Sequence, residues 1–486
     1  MKIPIKLLYV LSALYITVPL VIFAFGWMKL PFALSIGLGF IYLLYQISKQ
    51  EKAKDSLIIS WKELGVICLL VIIWTLLSGA GHRGFSDGDG YKHNAILNDL
   101  IALDWPVMYQ QFKTKEFVYL CYYIAYYLPA ALVGKLFGWK IANIVLFGWT
   151  LAGALLALSW FLLVFKKGNK VLISSLFVFF GGLDVLGRFI MRNKVVNGTD
   201  WEWWARNWQY SGNTTLLFYV PQHALVGWIA MGVLVYGLMR KKHIPFFLAL
   251  ISCIPLWSPF VFLGLVPFVL IYWYQNKNSF RLGEWLVAAV FIAYQLLYFA
   301  SNLTFFVKET GVSAWLWQVE KLVHSWVLLR LFLFYLFEFG VFVLFIVLYK
   351  KTLKNTTKKL LFSVSVCILL LLPWYKMGLL NDFVMRVSIP ALWVLSLFWI
   401  ELFIQKKWDL KFKAQLFLFF ILGAIYPLIL FTHGVQQFSW GPPKASLTTY
   451  EDPVFRRQYL GSDKSIFFTY FTYTNIHPKV GQMKYK

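Results

Sequence analysis

Apolar residues run along this chain in long unbroken stretches, not at the two-residue or three-to-four-residue period of half-exposed strands and helices. A helix needs about 20 apolar residues to cross the hydrocarbon core of a bilayer. By that measure the runs at 7–27, 31–47, 63–80, 139–165, 171–187, 222–239, 244–257, 259–274, 285–305, 326–349, 359–375, 386–404 and 414–432 predict about thirteen crossings. The fold class is therefore an all-α polytopic membrane protein. The run at 7–27 leads straight into another apolar run and lacks a small-x-small cleavage site, so it reads as a span and not as a signal peptide.

The polar intervals divide into two kinds. Basic clusters around Lys49, Lys167, Arg240, Lys358 and Lys411 fall in short loops on one side, which the positive-inside bias makes cytoplasmic. The other side receives the long intervals 81–138, 188–221, 306–325, 376–385 and 433–486. This parity places the N-terminus inside and the C-terminus outside. Segment 118–136 is apolar enough to cross. Its five tyrosines, its Pro129 and the side assigned to the following lysines favour instead an interfacial helix within the first large outer loop. Three units result: an N-terminal hairpin and cytoplasmic loop (1–62), a transmembrane module (63–432) with outer loops 81–138 and 188–221, and an exported tail (433–486).

Composition agrees with that picture and removes some classes. Of 486 residues 60% are hydrophobic and 14% charged, with 46 Lys+Arg against 21 Asp+Glu. In a soluble chain such a basic excess would suggest nucleic acid; here the cytoplasmic loops account for much of it, and no nucleic-acid partner is expected. Cys68, Cys121, Cys253 and Cys367 stand in apolar surroundings with no CxxC pair, which argues against disulfide frameworks and zinc sites.

The densest polar cluster opens the first outer loop: Gly84-Phe-Ser-Asp87-Gly-Asp89-Gly-Tyr-Lys92-His93-Asn94. Its glycines allow tight turns and close approach of a ligand. Asp87 and Asp89 beside Lys92 and His93 set a base next to cations that can hold an anion; a merely solvated Asp/Gly turn is the plain alternative. Asp184 and Arg188, four apart, share a helix face and are expected to pair. His223, behind Pro221, is either a phosphate ligand and proton shuttle or an ordinary hydrogen-bonded histidine. Lys376, Asp382 and Arg386 gather at a late outer loop, as a structural ion pair or as a seat for a lipid phosphate. Trp201, Trp203, Trp204, Trp208 and Tyr210 suit an interfacial belt better than a sugar-stacking surface.

With an acidic first outer loop, the block Tyr126-Tyr-Leu-Pro-Ala-Ala-Leu-Val-Gly-Lys135 and a long span ending in lysines, the chain resembles the membrane glycosyltransferases of the GT-C fold. The blocks Lys92–Leu97, Pro221-Gln222-His223 and Asn381–Arg386 are similar to those of bacterial multispanning proteins with this layout. The resemblance implies a polyprenyl-phosphate-linked sugar as donor at the outer face of a bacterial plasma (inner) membrane, a glycan, lipid or protein as acceptor, and a catalytic carboxylate that falls on Asp89, with Asp87 second. Taken with the polar residues at the outer ends of spans, where Asp184 and Arg188 have a ligand role as the alternative to pairing, the candidate substrate-binding set is Lys92, His93, Asn94, Asp184, Arg188, His223, Lys376, Asp382 and Arg386. No cofactor is firmly implied, and no metal ligands are assigned, although Asp87 and Asp89 can supply hard oxygen ligands to a divalent metal. The hairpin 7–47 before the acidic loop departs from better-known members. Two rivals remain: a lipid-linked glycan or anionic-lipid transporter using the same outer cations without making a bond, and a non-catalytic envelope scaffold.

Overall fold

The computed structural model describes residues 1–49, 55–84, 88–111, 116–165, 167–191, 201–302, 313–319, 325–349, 353, 355–378, 381–405, 409–441, 444–449, 457–473 and 478–483. Of the described residues 74% are helical. Among the described residues nine helices are long and apolar enough to cross a membrane: Ile5–Trp27, Leu30–Lys49, Trp139–Val164, Pro221–Arg240, Pro259–Ser279, Leu282–Ala300, Trp326–Leu348, Thr356–Trp374 and Leu410–Gln436. These are the elements of an all-α polytopic membrane protein. Trp61–Leu77, Phe247–Leu256 and Ile389–Ile404 are apolar but shorter.

Helix ends sort into two poles. At one pole Lys2–Pro4 pairs with Ser56–Ile58, Arg240 bonds to Asp55 at 3.3 Å, and Lys358 bonds to Glu401 at 2.5 Å. Helix Ile5–Trp27 starts there and ends at the other pole, where Met28 bridges to Thr472. That second pole carries the remaining strands. Gly481–Gln482, Met108–Gln110, Phe117–Leu120 and Leu460–Ser462 form one four-stranded sheet in this order, with a parallel first pair. Arg83–Gly84 pairs with Ser439–Trp440, and Ser313–Trp315 with Tyr375–Met377. The tail is thus woven into the first large loop.

The middle of the molecule is built around Pro221–Arg240, in which every residue through Leu238 is buried. Apolar matter surrounds it, and two of the buried indoles reach acceptors on a neighbouring helix. The Trp160 indole donates to Ser12 Oγ at 2.7 Å, and the Trp257 indole to the Ile16 carbonyl at 3.0 Å. Tyr15, Trp149 and Trp257 stack in a column.

Three expectations change. The run 171–187 is not one span: helix Lys170–Val178 stops, and a new helix begins at Asp184. The carbonyls left open at that end are met from outside, since the Asn213 amide donates to Phe177 O and the Thr214 hydroxyl to Val178 O. Gly181 then lies against Gly423 so closely that a Cβ on it would sit 2.9 Å from the Gly423 carbonyl. The run 118–136 is not an interfacial helix either. Phe117–Leu120 is a strand, helix begins only at Leu128, and Tyr122, Tyr126 and Tyr127 are buried. Their hydroxyls and neighbouring backbone have internal partners, which outweighs the interfacial preference of tyrosine. Finally, Trp204 and Trp208 form no belt. Both are buried, with indoles donating to Glu338 Oε1 and to the Pro373 carbonyl at 2.9 Å.

Candidate functional site

The polar block of the first outer loop folds as helix Gly88–Ala102, with Asp89 in its first turn. Helical spacing puts Asp89 and Lys92 on one face. Lys92 Nζ donates to Asp89 Oδ1 at 2.6 Å; the lysine side chain is 6% exposed and the aspartate 43%. An open carboxylate thus covers a buried ammonium. Burial pushes the Asp89 carboxyl up, but Lys92, His93 and Arg386 together more than reverse it, so the group lies below the ordinary carboxylate value. For Lys92, burial pushes down and Asp89 with Tyr123 more than compensates, so it is held above the usual lysine value. Both are charged near neutral pH.

His93, one residue on, faces the interior. Its Nε2 lies 3.0 Å from the Tyr219 carbonyl and its Nδ1 against the Tyr127 hydroxyl. A carbonyl accepts only, so Nε2 carries the proton and Nδ1 accepts from Tyr127. Burial, then Lys92, push the imidazole down to about 3. His93 is therefore a neutral clamp joining the acidic helix to the junction before Pro221. Asn94 is likewise structural, with Oδ1 accepting from the Ala445 backbone N–H at 3.1 Å.

Two further elements bring their polar residues to the same place. Helix Asp382–Val387 supplies Arg386, whose Nη2 donates to Asp382 Oδ1 at 2.8 Å and whose Nη1 donates to Tyr123 Oη at 2.7 Å. Its guanidinium also lies over the Tyr123 and Phe260 rings. The first turn of Pro221–Arg240 supplies His223, packed edge-on against Tyr123 with 4.7 Å between centroids and bonded through Nδ1 to Ser258 Oγ at 2.5 Å. Arg386, Lys92 and His93 all lie within electrostatic range of His223. Lys92 and Arg386 balance Asp89 and Asp382, so the group carries no net charge with its histidines neutral.

Asp89, Lys92, His93, His223, Asp382 and Arg386, separated by up to 297 positions in the sequence, thus converge at the loop-bearing pole. Lys376 lies nearby on Tyr375–Met377, half-buried, its backbone paired with Ala314. Asp87 lies outside the described residues. Three members escaped sequence reasoning: Tyr123, Tyr127 and Ser258. The tyrosine run was visible but read as an interfacial feature, and Ser258 announces itself only as the cap of helix Pro259–Asn276.

Compared with family models, with curated proteins and with solved structures, the chain matches none.

Asp184 and Arg188 belong elsewhere and do not pair. Because the helix starts at Asp184, that side chain sits at the helix end. Arg188 instead lies over Trp201, 4.3 Å from the ring centroid. Asp184 joins a second group, with Glu202 and Glu338. Glu202 accepts from the Gly212 N–H and the Gln209 amide at 2.9 Å, and from the Thr215 hydroxyl at 2.5 Å. Burial, then Asp184, push its carboxyl up to about 8. Glu338 sits on a widened π-turn, Leu336–Gly340, within its helix. Its carboxyl lies near that of Asp184.

Proposed function

We propose that the protein is a membrane glycosyltransferase that moves a sugar from a polyprenyl-phosphate-linked donor to a glycan, lipid or protein acceptor at the outer face of a bacterial plasma membrane. Thirteen crossings, with the N-terminus cytoplasmic and the C-terminus outside, go with this reading. The two-pole sorting of helix ends and the basic pole at Arg240 and Lys358 support it. The resemblance to the GT-C glycosyltransferases supplies the reaction class.

The observation that carries the proposal is the geometry at Asp89: a partly open carboxylate above buried Lys92, with Arg386 and His223 alongside. In the reaction Asp89 removes the proton of an acceptor hydroxyl. The freed oxygen attacks the anomeric carbon, the carbon–oxygen bond to phosphate breaks, and the phosphate leaves with the electron pair and inversion at that carbon. One carboxylate suffices for this direct displacement. An arriving phosphate draws Lys92 away from Asp89, which raises the basicity of the carboxylate as substrate binds. His93, with both nitrogens occupied, positions the helix and takes no proton.

A transporter of lipid-linked glycans or anionic lipids is the second reading. The broken helix at Asp184 and the intramembrane Glu338 favour it, since interrupted helices and buried acids mark transport paths. One experiment separates the two. Purified protein, wild type and Asp89→Asn, is incubated in proteoliposomes with labelled polyprenyl-phosphate sugars. The transferase reading expects label transfer in wild type only. Lipid translocation without transfer, unaffected by Asp89→Asn, would sink it in favour of transport.

A further inference from the structure

Buried polar groups nearly always find partners, so a concentration of unpartnered ones has significance. Around the first turn of Pro221–Arg240, His223 Nε2 and Arg386 Nε have none, nor has either amide atom of Gln222. His223 and Gln222 are fully buried and Arg386 is 6% exposed. The helix opens on Val220 with no side-chain cap, and Pro221 follows, so the positive end of its dipole is not covered by a capping oxygen.

The proton on His223 can be placed. Ser258 Oγ already accepts from the Val261 N–H at 3.0 Å, and its own buried hydroxyl proton needs an acceptor. His223 Nδ1, at 2.5 Å, is that acceptor. The ring proton of the neutral imidazole then sits on Nε2, making the unpartnered nitrogen a donor. Arg386 Nε–H is a second donor by necessity, because guanidinium does not deprotonate. Both residues pack on the Tyr123 ring, with the Lys92 ammonium in electrostatic range. Two waiting donors, a fixed positive charge on each of two side chains and a helix N-terminus describe the complement of a tetrahedral oxyanion.

We infer that His223 Nε2–H, Arg386 Nε–H and Lys92, at the N-terminus of helix Pro221–Arg240, form a buried seat for a phosphoryl group. The inference deepens the transferase reading, on which it rests only for the assignment of that phosphoryl to a sugar donor. A lipid phosphate and a free phosphate share the recognised chemistry. Ser258 is a positioning residue here, fixing the tautomer of His223.

The test uses the full chain in nanodiscs, titrated with decyl phosphate, inorganic phosphate and decanol and read by thermal shift. Decyl phosphate is expected to bind and decanol not. Binding of inorganic phosphate as well shows that the phosphoryl group suffices, while binding of decyl phosphate alone identifies a lipid-borne one; either supports the seat. His223→Ala and Arg386→Lys should each weaken decyl phosphate by about tenfold or more. His223→Gln, which keeps a donor near Nε2, should recover most of the affinity, and Asp89→Asn should retain or tighten it. In wild-type protein labelled with 15N-histidine, the Nε2 resonance of His223 should move on adding decyl phosphate, a readout that needs no variant. Equal binding of decanol, or an unmoved Nε2 resonance with unchanged affinity in folded His223→Ala, overturns the seat. His223-dependent binding with no sugar transfer from any donor leaves the seat standing and removes the transferase.

Discussion

Around Asp89 the charges alternate in sign, whereas around Glu202 the groups that lie together are all acids. The first cluster opens to solvent at one carboxylate, and its buried cations each hold an anion: Lys92 with Asp89, Arg386 with Asp382. It stays ionised. The second is closed, and among the described residues none of Asp184, Glu202 and Glu338 has an ion-pair partner. Burial there works against charge without an opposing cation, so Glu202 keeps its proton at neutral pH. The same side-chain type is thus a standing base in one place and a neutral hydrogen-bonding group in the other, and the difference lies wholly in what the fold sets beside it.

The comparison can be broken at either cluster. Asp89→Asn should lower sugar transfer about 10²–10⁴-fold, the usual contribution of a positioned base, with the protein still folded; transfer assayed with labelled donor decides it. Arg386→Met removes the partner of Asp382 and Tyr123 from a buried position. It should destabilise by about 3 kcal/mol, seen as a fall in the unfolding midpoint in mixed micelles. Glu202→Gln probes the acid cluster through pH. The folded carboxyl titrates at about 8 against about 4.3 when unfolded. The folded state therefore holds the extra proton, and stability is greatest below the lower value and falls as pH rises through the upper one. The Gln variant should flatten that fall in a melting-temperature series. Asp99, pushed by burial up to about 6, should show the same sign over a narrower window, and Asp99→Asn should change stability by no more than about 1 kcal/mol.

How much of this could be read beforehand depended on distance along the chain. The apolar runs announced the helices, and one spacing announced a real pair, Asp382 with Arg386; the charges beside Asp89 were visible, but not that Lys92 pairs with it. The same four-residue rule failed for Asp184 and Arg188. Its premise is a helix that runs through the turn before Asp184, and the preceding helix ends at Val178, so Asp184 is the first residue of a new one. Segment 118–136 misled for a related reason. Tyrosine and Pro129 report a tolerance for interfaces, but the segment pairs with Leu460–Ser462, and nothing local in either strand names the other. Glu202 was equally silent, since the neighbours that matter to it, Asp184 and Thr215, are joined to it only by the folded loop.

The tail has a consequence for the order of events. The Ala445 and Leu447 backbone N–H groups donate to Asn94 and Asp99 on the helix that bears Asp89, across 351 and 348 positions of chain. A ribosome has delivered every long apolar helix before those two amides exist. The helix carrying the carboxylate therefore waits for the tail to be made before it gains this fastening, and a nascent chain halted before residue 445 would have this helix without that latch.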